Sequence, residues 1–250
     1  MALATIGIGA SDSLESSLVG SFLRDQPDTR CPQGMVFVSA ADGFCIDRYE
    51  ASVGDGCIYA EPASAGETKV NIDQQGCAPA SVSGAVPWHY ISQHEAQLAC
   101  AKAGKHLATN REWYAAALGT PDSVVCNIDT GAATTTGALS ECRSAAGAVD
   151  MVGNLWEWVD GVVLDGLFQG RTLPAAGYVA AVDEAGIPAA TTTTPQDTLN
   201  NDRFWINMPG VQGMLRGGHF GGGRDAGIYG TYAASPPSFT GDAVGFRCAL

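Results

Sequence analysis

Arg216-Gly217-Gly218-His219-Phe220 and Gly245-Phe246-Arg247-Cys248 bracket the C-terminal part of this chain. The segment between them is rich in glycine, alanine, serine and tyrosine, and it contains neither lysine nor glutamate. Such a composition is typical of a displayed surface, because small residues are adaptable and tyrosine offers a large contact area at low entropic cost. The two ends are typical of a fixed framework. The pattern therefore places the function in residues 216–248, as either catalysis or binding.

The composition is that of a folded, acidic protein. The chain has 250 residues, of which 46% are hydrophobic and 16% are charged, so it can form one large domain or two small ones and is not disordered. The net charge of −13 disfavours binding to nucleic acid. No apolar run reaches the roughly 18 residues of a membrane span, so membrane insertion is not expected. The apolar residues 1–10 lack the positive charges of a signal peptide.

The chain has 8 cysteines, and none of them forms a Cys-x-x-Cys pair. Because the histidines are also few and scattered, the pattern favours disulfides over zinc ligands or buried thiols. Sequence order suggests the pairs Cys31–Cys45, Cys57–Cys77, Cys126–Cys142 and Cys100–Cys248. Eight cysteines allow about 105 pairings, so other connectivities stay open. Disulfides imply an oxidising setting, which conflicts with the weak signal peptide.

Capping signals predict two helices in the middle of the chain. Ser92 with Glu95 and Thr109 with Glu112 form two capping boxes. A glycine follows the apolar positions of each segment and marks its end.

The remaining segments suggest a short arm and one large domain. Residues 1–30 are predicted to be an N-terminal arm with an amphipathic helix over residues 11–24. Short strands follow from residue 31, whereas residues 54–86 have the composition of a loop. Residues 160–212 are interpreted as a long insertion with some strand character near residues 204–206.

Six segments, taken together and in order, carry a resemblance to a known family. They are Gly34-Met35-Val36, Cys45-Ile46-Asp47-Arg48-Tyr49-Glu50, Leu107-Ala108-Thr109-Asn110-Arg111-Glu112-Trp113, Asp150-Met151-Val152-Gly153-Asn154-Leu155-Trp156-Glu157-Trp158, Arg216-Gly217-Gly218 and Gly245-Phe246-Arg247-Cys248. The set resembles the formylglycine-generating-enzyme (sulfatase-modifying) family, a variant of the C-type lectin fold. The resemblance covers about residues 31–250. It implies an α+β domain with two helices, small twisted antiparallel sheets and much irregular loop.

The enzymes of this family need a pair of reactive cysteines shortly after the Arg-Gly-Gly motif. In this chain the corresponding positions fall near Gly222 and Gly227, and no cysteine lies between Cys142 and Cys248. Without a thiol there is no thiolate nucleophile and no soft metal ligand, so oxidase chemistry is not expected. A branch of iron-dependent sulfoxide synthases is disfavoured too, because the 4 histidines have no facial-triad spacing.

A third branch fits better, namely the variable proteins of diversity-generating retroelements. Its pattern is matched without a gap by Arg216-Gly217-Gly218, Phe220, Ala226-Gly227, Pro237-Ser238 and Gly245-Phe246-Arg247. By this resemblance residues 216–248 are a variable display region. The diversified positions would be His219, Gly221, Gly222, Asp225, Gly230, Tyr232, Ala234, Ser235, Phe239 and Gly241, with Arg224 and Tyr229 as neighbours.

The resemblance also implies a calcium site around the Gly-Asn pair of the fourth segment. The implied ligands are Asp150, Gly153, Leu155 and Glu157, which combine the carboxylate and carbonyl oxygens that hard cations prefer. The alternative is that these carboxylates pair with arginine or cap backbone amides.

The two arginines of the bracketing motifs, Arg216 and Arg247, are expected to support the surface from beneath. A guanidinium binds carboxylate bidentately, and the candidate partners are Asp47, Glu50 and Glu157.

Among the aromatic residues, Trp156 and Trp158 are predicted to belong to the core because they alternate along a strand. Tyr232 and Phe239 are expected to be exposed, and the burial of Tyr229 is left open.

The sequence thus favours a hypervariable ligand-binding protein, displayed on a virion or cell surface, with an unknown protein or surface ligand. Two alternatives stay open. One is a formylglycine-generating-type enzyme with displaced catalytic groups, and the other is a structural or adhesin domain without diversification.

Overall fold

A computed structural model of the protein describes residues 30–40 and 43–250. The predicted helix over residues 11–24 lies outside these residues. Within the described ranges no helix is both long and apolar enough to cross a membrane.

Three α-helices lie in the described part of the chain: α1 (Ala65–Asp73), α2 (Gln93–Lys102) and α3 (Asn110–Ala117). The two capping boxes are confirmed. The Ser92 hydroxyl accepts from the Glu95 amide while the Glu95 carboxylate accepts from the Ser92 amide, and Thr109 and Glu112 repeat this exchange at α3. Each box satisfies backbone donors that a helix N-terminus otherwise leaves unpaired.

Helix α1 contradicts two predictions: that residues 54–86 form a loop, and that the domain has two helices. Ser64 caps α1 by accepting from the Glu67 amide. The buried residues of α1 are Thr68, Asn71 and Ile72, of which only the last is apolar. The helix therefore lacks the apolar periodicity by which an amphipathic helix is recognised in a sequence.

Fifteen strands form three sheets in the described ranges. They are β1 (Met35–Val38), β2 (Phe44–Asp47), β3 (Ser52–Val53), β4 (Pro79–Ala80), β5 (His106–Leu107), β6 (Trp156–Leu164), β7 (Leu167–Phe168), β8 (Arg171–Thr172), β9 (Gly177–Val182), β10 (Pro188–Thr192), β11 (Arg203–Ile206), β12 (Val211–Arg216), β13 (Thr231–Ala233), β14 (Val244–Phe246) and β15 (Cys248–Ala249). Two short 3₁₀ helices lie at Asp197–Leu199 and Gly223–Asp225.

The largest sheet is mixed, so it departs in two strand pairs from the antiparallel sheets that the resemblance implies. Its order is β10-β9-β11-β13-β12-β6-β7-β8, with β14 also paired to β6. The pairs β11 with β13 and β14 with β6 are parallel, and in each pair the strands are far enough apart in sequence for the crossover connection that parallel strands need. A second sheet has the order β1-β2-β15-β5, and β3 pairs with β4.

The four predicted disulfides are confirmed. They are Cys31–Cys45, Cys57–Cys77, Cys126–Cys142 and Cys100–Cys248. The last one connects α2 to β15 within an apolar cluster that also contains Trp88, Trp158 and Phe246. A second cluster includes Trp113 and Phe204.

The segment interpreted as an insertion, residues 160–212, contains the strands from the end of β6 to the start of β12. Strands β9 and β10 form a hairpin, and β11 lies between β9 and β13. The predicted strand character near residues 204–206 is confirmed by β11. Because β13 belongs to the C-terminal segment, the insertion forms one side of the sheet that carries that segment.

Candidate ligand-binding surface

Arg247 is completely buried and holds the end of the C-terminal segment. Its Nε donates to Glu157 Oε2 at 2.6 Å, and one Nη donates to Glu157 Oε1. Other N–H groups donate to the carbonyls of Asp47 and Val149, both at 3.0 Å. Burial lowers the pKa of Arg247, but the attraction and hydrogen bonds of Glu157, together with the attraction of Glu50 and Asp150, raise that pKa above its ordinary value. The expected pairing with a buried carboxylate is confirmed for this arginine.

Arg216 differs from the expectation, because its guanidinium binds neutral oxygens. It donates to Asn110 Oδ1 at 2.5 Å and to the carbonyls of Ile228 and Gly230 at 2.7 and 3.2 Å. The guanidinium also lies over the ring of Trp113, 5.0 Å from its centroid. Burial lowers the pKa of Arg216 to about 10. Arg216 therefore sets the path of residues 228–230 and ties it to α3.

The two glycines of the Arg-Gly-Gly motif are required by close packing. Gly217 and Gly218 have φ angles of +90° and +84°, a region that L side chains rarely adopt. A β-carbon at Gly218 would lie 2.2 Å from that of Ala226. The chain thus turns sharply at the start of the predicted variable segment.

Most of the predicted variable positions reach solvent. Gly221, Arg224 and Phe239 are exposed, and the half-buried positions are His219, Gly222, Asp225, Tyr232, Ala234, Ser235 and Gly241. The expected exposure of Phe239 is confirmed at 40%. Tyr232 is only half-buried rather than fully displayed, and Tyr229 is half-buried as well.

Gly230 is an exception, because it is buried. Its amide donates to Asp202 Oδ2 at 3.1 Å, and its carbonyl accepts from Arg216. A β-carbon at this position would lie 3.0 Å from the carbonyl oxygen of Gly227. Gly230 therefore belongs to the framework under the surface, not to the surface itself.

An apolar cavity lies among the predicted variable positions. It has a volume of about 190 Å³ and is lined by Trp156, Leu215, Tyr232, Phe239, Gly241, Asp242, Ala243 and Val244. Cavities with aromatic walls and few polar groups are typical binding sites for apolar groups.

Aromatic rings gather around the floor of this cavity. The ring of Trp156 lies 5.7 Å from that of Trp205, 5.8 Å from that of Tyr232 and 6.3 Å from that of His219. The interpretation of Trp156 as core is incomplete, since it also lines the cavity, whereas Trp158 is fully buried and donates to the Ile91 carbonyl. Sequence reasoning missed Trp205, because the β11–β13 pairing that brings it here leaves no local signal.

Titratable side chains border this surface. Burial lowers the pKa of His219, and Asp242 opposes this shift. Asp225 lies 3.8 Å from the Arg203 guanidinium.

Two further depressions lie elsewhere on the described chain. One of about 170 Å³ is lined by Tyr178, Pro195, Asp197, Asn201, Arg224 and Asp225. A larger groove of about 1050 Å³ is lined by residues 31–35, 48–49, 79–83, 103 and 105, none of which is a predicted variable position.

In the segment implied to bind calcium, the carboxylates of Asp150 and Glu157 accept hydrogen bonds from other groups of the protein. Both oxygens of Glu157 accept from Arg247, and Oε2 also accepts from Trp113 Nε1 at 2.7 Å. Asp150 Oδ2 accepts from the Gly137 amide at 2.7 Å. No group of three or more His, Cys, Asp or Glu suited to a metal ion lies among the described residues.

These contacts fit the alternative reading, in which the carboxylates pair with arginine and backbone amides. A cation bound to Glu157 would also lie beside the guanidinium of Arg247, which repels it. The carboxylates of Asp150 and Glu157 are therefore engaged within the protein, and calcium at Asp150, Gly153, Leu155 and Glu157 stays a prediction.

The two positions implied to carry catalytic cysteines in the enzymes are glycines with different surroundings. Gly222 is half-buried beside His219, and Gly227 is buried. A β-carbon at Gly227 would lie 2.0 Å from Asp202 Oδ1 and 2.3 Å from Asp122 Oδ2. Two carboxyl groups thus fill the space that a cysteine side chain would need. Asp122 and Asp202 were missed in the sequence, since neither lies in a motif.

Comparison with known proteins finds both a family and a fold. Residues 126–250 match the family model described as the sulfatase-modifying factor enzyme 1-like domain. No curated protein matches this sequence.

Solved structures with the same fold include two variants of Major Tropism Determinant. The M1 variant has a TM-score of 0.52 and 20% identity, covering 90% of this chain and 54% of that one. The P3c variant has a TM-score of 0.51 and 19% identity with the same coverage. Treponema denticola variable protein 1 has a TM-score of 0.44 and 12% identity over 88% of this chain and 99% of that one. The chain thus spans about half the length of Major Tropism Determinant.

Proposed function

The chain belongs to the sulfatase-modifying factor enzyme 1-like family, and we propose that it uses the C-type-lectin-like fold of this family to bind a ligand rather than to catalyse a reaction. Residues 216–248 form the binding surface, and a diversity-generating retroelement varies their side chains.

The observation that supports this proposal most is the separation of framework from surface. Arg216 binds the carbonyls of Ile228 and Gly230, and Asp202 Oδ2 accepts from the amides of Tyr229 and Gly230 at 2.6 and 3.1 Å. These buried groups hold the backbone of the segment. Side chains at the exposed positions can therefore change without altering the path of the chain.

The cavity supports a ligand with an apolar group. Trp156, Tyr232 and Phe239 line it, and aromatic residues in partly enclosed positions are frequent energetic centres of protein interfaces. The solved structures of similar fold bear the name Major Tropism Determinant, which supports recognition of a surface. We therefore favour a protein or surface ligand, and the net charge of −13 disfavours nucleic acid.

The disulfides support a location for the protein. Four disulfides stabilise the described chain, and disulfides persist in oxidising compartments. This supports an extracellular or surface location, and display on a virion or cell is the specific form that we propose.

The first test examines DNA around the coding sequence. We expect a near-identical repeat of the 3′ end that differs only at adenines, next to a gene for a reverse transcriptase. A flanking sequence with neither feature would favour a structural or adhesin domain without diversification.

The second test examines the tolerance of the surface. A library randomised at the exposed and half-buried variable positions is expected to yield mostly folded protein, as judged by thermal denaturation of sampled clones. A matched library randomised at Gly217, Gly218, Ala226, Gly227 and Gly230 is expected to yield mostly unfolded protein. Equal losses in both libraries would contradict the separation of framework from surface.

The family match leaves an enzyme as the second candidate. It can be tested by incubating the protein with copper and a cysteine-containing sulfatase peptide, followed by mass spectrometry for an aldehyde. We expect unchanged peptide, because neither Gly222 nor Gly227 offers a thiolate. Aldehyde formation would overturn the binding proposal.

A further inference from the structure

Two carboxyl groups face each other beneath the C-terminal segment. Asp202 Oδ1 and Asp122 Oδ2 lie 2.0 and 2.3 Å from one point, the place that a β-carbon of residue 227 would occupy. Asp202 stands directly before β11, and Asp122 lies in the loop after α3. The pair therefore joins three parts of the chain: the end of the insertion, the loop after α3 and the turn at Gly227.

Both facing oxygens are buried, and apart from the opposing carboxyl group neither has a hydrogen-bond partner within residues 30–40 and 43–250. Asp202 is fully buried, with a relative exposure of 0%. Burial raises the pKa of Asp202 well above its ordinary value, and repulsion from Asp122 raises it further. Two ionised carboxylates in one buried site repel each other strongly, so the pair is stable only with a proton shared between the two groups or with a positive charge bound to them.

Nearby arginine does not supply that charge. The guanidinium of Arg203 pairs with Asp225 at 3.8 Å, and Arg216 binds the Asn110 side chain and backbone carbonyls. Neither donates a hydrogen bond to the carboxylate of Asp202, whose Oδ2 accepts from the amides of Tyr229 and Gly230.

We propose that Asp122 and Asp202 hold a divalent cation, of the hard, oxygen-seeking class to which calcium belongs. Calcium–oxygen distances are roughly 2.3–2.6 Å, so two oxygens on one ion lie at most about 5 Å apart, and the facing pair meets this limit. Unlike Glu157, whose oxygens accept from Arg247, each of these aspartates has an oxygen that no N–H group of the described chain reaches.

Neutral oxygens complete the coordination. The site has only two acidic ligands. No group of three or more His, Cys, Asp or Glu suited to a metal ion lies in the described part of the chain, so the other ligands must be neutral oxygens. The adjacent Asn200 side chain bonds to Asp122. Asn201 Oδ1 is a further buried oxygen with no partner among the described residues, one position before Asp202. Calcium sites commonly mix carboxylate, amide and water oxygens.

The cation has a consequence for the surface. Asp202 uses its second oxygen to hold the amides of Tyr229 and Gly230, so neutralising its first oxygen keeps the carboxylate in place under residues 229–230. The order of the C-terminal segment thus becomes dependent on a divalent cation. This inference does not depend on diversification of the surface.

The test uses the whole protein, dialysed against EDTA and then titrated with calcium chloride alone. Isothermal titration calorimetry is expected to show one ion per chain with a Kd of roughly 0.1–1 mM, as for extracellular calcium modules. At 5 mM calcium the Tm is expected to rise by about 5 °C.

Two variants locate the ion. Asp122→Asn is expected to abolish the calcium-dependent rise in Tm, and in EDTA it should be at least as stable as the unaltered protein, because one of two repelling charges is removed. Asp150→Asn is the matched control, since it alters a carboxylate of the segment implied to bind calcium, and it should retain the full rise.

Three results would overturn the proposal. One is the reverse pattern, in which Asp150→Asn abolishes the response and Asp122→Asn keeps it. Another is an equal response in both variants, which would indicate adventitious surface binding. The third is no response to calcium, with a stability in EDTA that rises more on acidification in the unaltered protein than in Asp122→Asn, which would show that the two carboxyl groups share a proton.

Discussion

At the scale of single residues, two buried arginines hold the C-terminal segment by different chemistry. Arg247 forms a bidentate pair with Glu157, whereas Arg216 binds Asn110 and two backbone carbonyls. A buried ion pair needs both partners, because removing one leaves an uncompensated charge. A guanidinium bound to carbonyls instead fixes backbone positions. Arg247 therefore anchors the segment to the core, and Arg216 shapes its course.

Two phenylalanines provide a matched test of which residues are exposed on the binding surface. Phe239 is 40% exposed and Phe246 is 0% exposed. We expect Phe239→Ala to change the free energy of unfolding by less than about 1 kcal/mol, and Phe246→Ala to lower it by about 3–5 kcal/mol, since only the second leaves a core cavity. Urea denaturation measures both. A similar large loss for both variants would show that Phe239 belongs to the core.

The buried acidic cluster around Arg247 predicts a pH dependence of stability. Burial raises the pKa of Asp150 from 3.8 to about 6. It also raises that of Glu50, with added repulsion from Asp150 and Glu157. The protonated forms are thus favoured in the folded state. The stability that Asp150 contributes is fully present below pH 3.8 and is lost as the pH rises through about 6.

Asp150→Asn should therefore be more stable than the unaltered protein at pH 7.5, by on the order of 3 kcal/mol, because one unit of pKa shift corresponds to about 1.4 kcal/mol. The gap should shrink as the pH falls from 7 to 4. Urea denaturation at several pH values gives the difference directly. A gap that is constant with pH would mean that Asp150 is not the titrating group.

At the scale of elements, polar contacts that no sequence pattern predicts hold helix α1 in place. The Asn71 side chain accepts from the amides of Ile58 and Tyr59 at 3.0 and 2.9 Å and donates to the Tyr59 carbonyl at 2.7 Å. Trp88 Nε1 donates to the hydroxyl of Thr68 at 3.2 Å. The helix thus organises the preceding loop through hydrogen bonds rather than through an apolar face.

Asn71→Ala is expected to lower the free energy of unfolding by about 2–4 kcal/mol, because it removes three hydrogen bonds at once. The control is Asp73→Ala at the exposed end of the same helix, which should cost less than about 1 kcal/mol. Thermal denaturation compares the two. Equal effects would imply that the loss of stability comes from alanine in the helix itself and not from the loss of the hydrogen bonds between Asn71 and the preceding loop.

At the scale of the whole molecule, one disulfide joins parts of the chain that are far apart in sequence. Cys100 and Cys248 are separated by 148 residues, whereas Cys57 and Cys77 are separated by 20. Closing the longer loop removes more conformational entropy from the unfolded chain. The long-range disulfide also lies in the core beside Trp158 and Phe246, so it links α2 to the strand that follows the binding surface.

Replacing Cys100 and Cys248 by alanine is therefore expected to lower the free energy of unfolding more than the same replacement at Cys57 and Cys77. The loop-length difference corresponds to about 2 kcal/mol in the chain-entropy model. Guanidinium denaturation of both double variants measures it. A larger loss for the short loop would show that packing, not loop closure, dominates.

Much of the fold and part of the site could be predicted before any tertiary contact was known. The capping boxes at Ser92 and Thr109 involve atoms only a few residues apart, so the local sequence determines them. The order of the cysteines suggested their pairing but left other connectivities open, and the fold decided among them. The lack of a thiol near Gly222 and Gly227 is a property of composition, and it alone argued against oxidase chemistry.

Other features depend on residues that meet only in the folded chain. The parallel pairing of β11 with β13 brings Trp205 to Tyr232 and Trp156, and no local pattern encodes such a long-range contact. The sequence predicted Gly230 as a displayed position, but the fold buries it, with its carbonyl accepting from Arg216 and its amide donating to Asp202.

The sequence by itself determined the kind of protein, because ordered motifs, cysteine positions and caps are all local or compositional. The tertiary structure decided which residues of the C-terminal segment face solvent and which carboxylates meet, because burial and electrostatic contact arise between distant parts of the chain. The facing of Asp122 and Asp202 beside Gly227 is of the second kind, since 80 residues of sequence, counted by their numbers, separate the two carboxyl groups that the fold brings together.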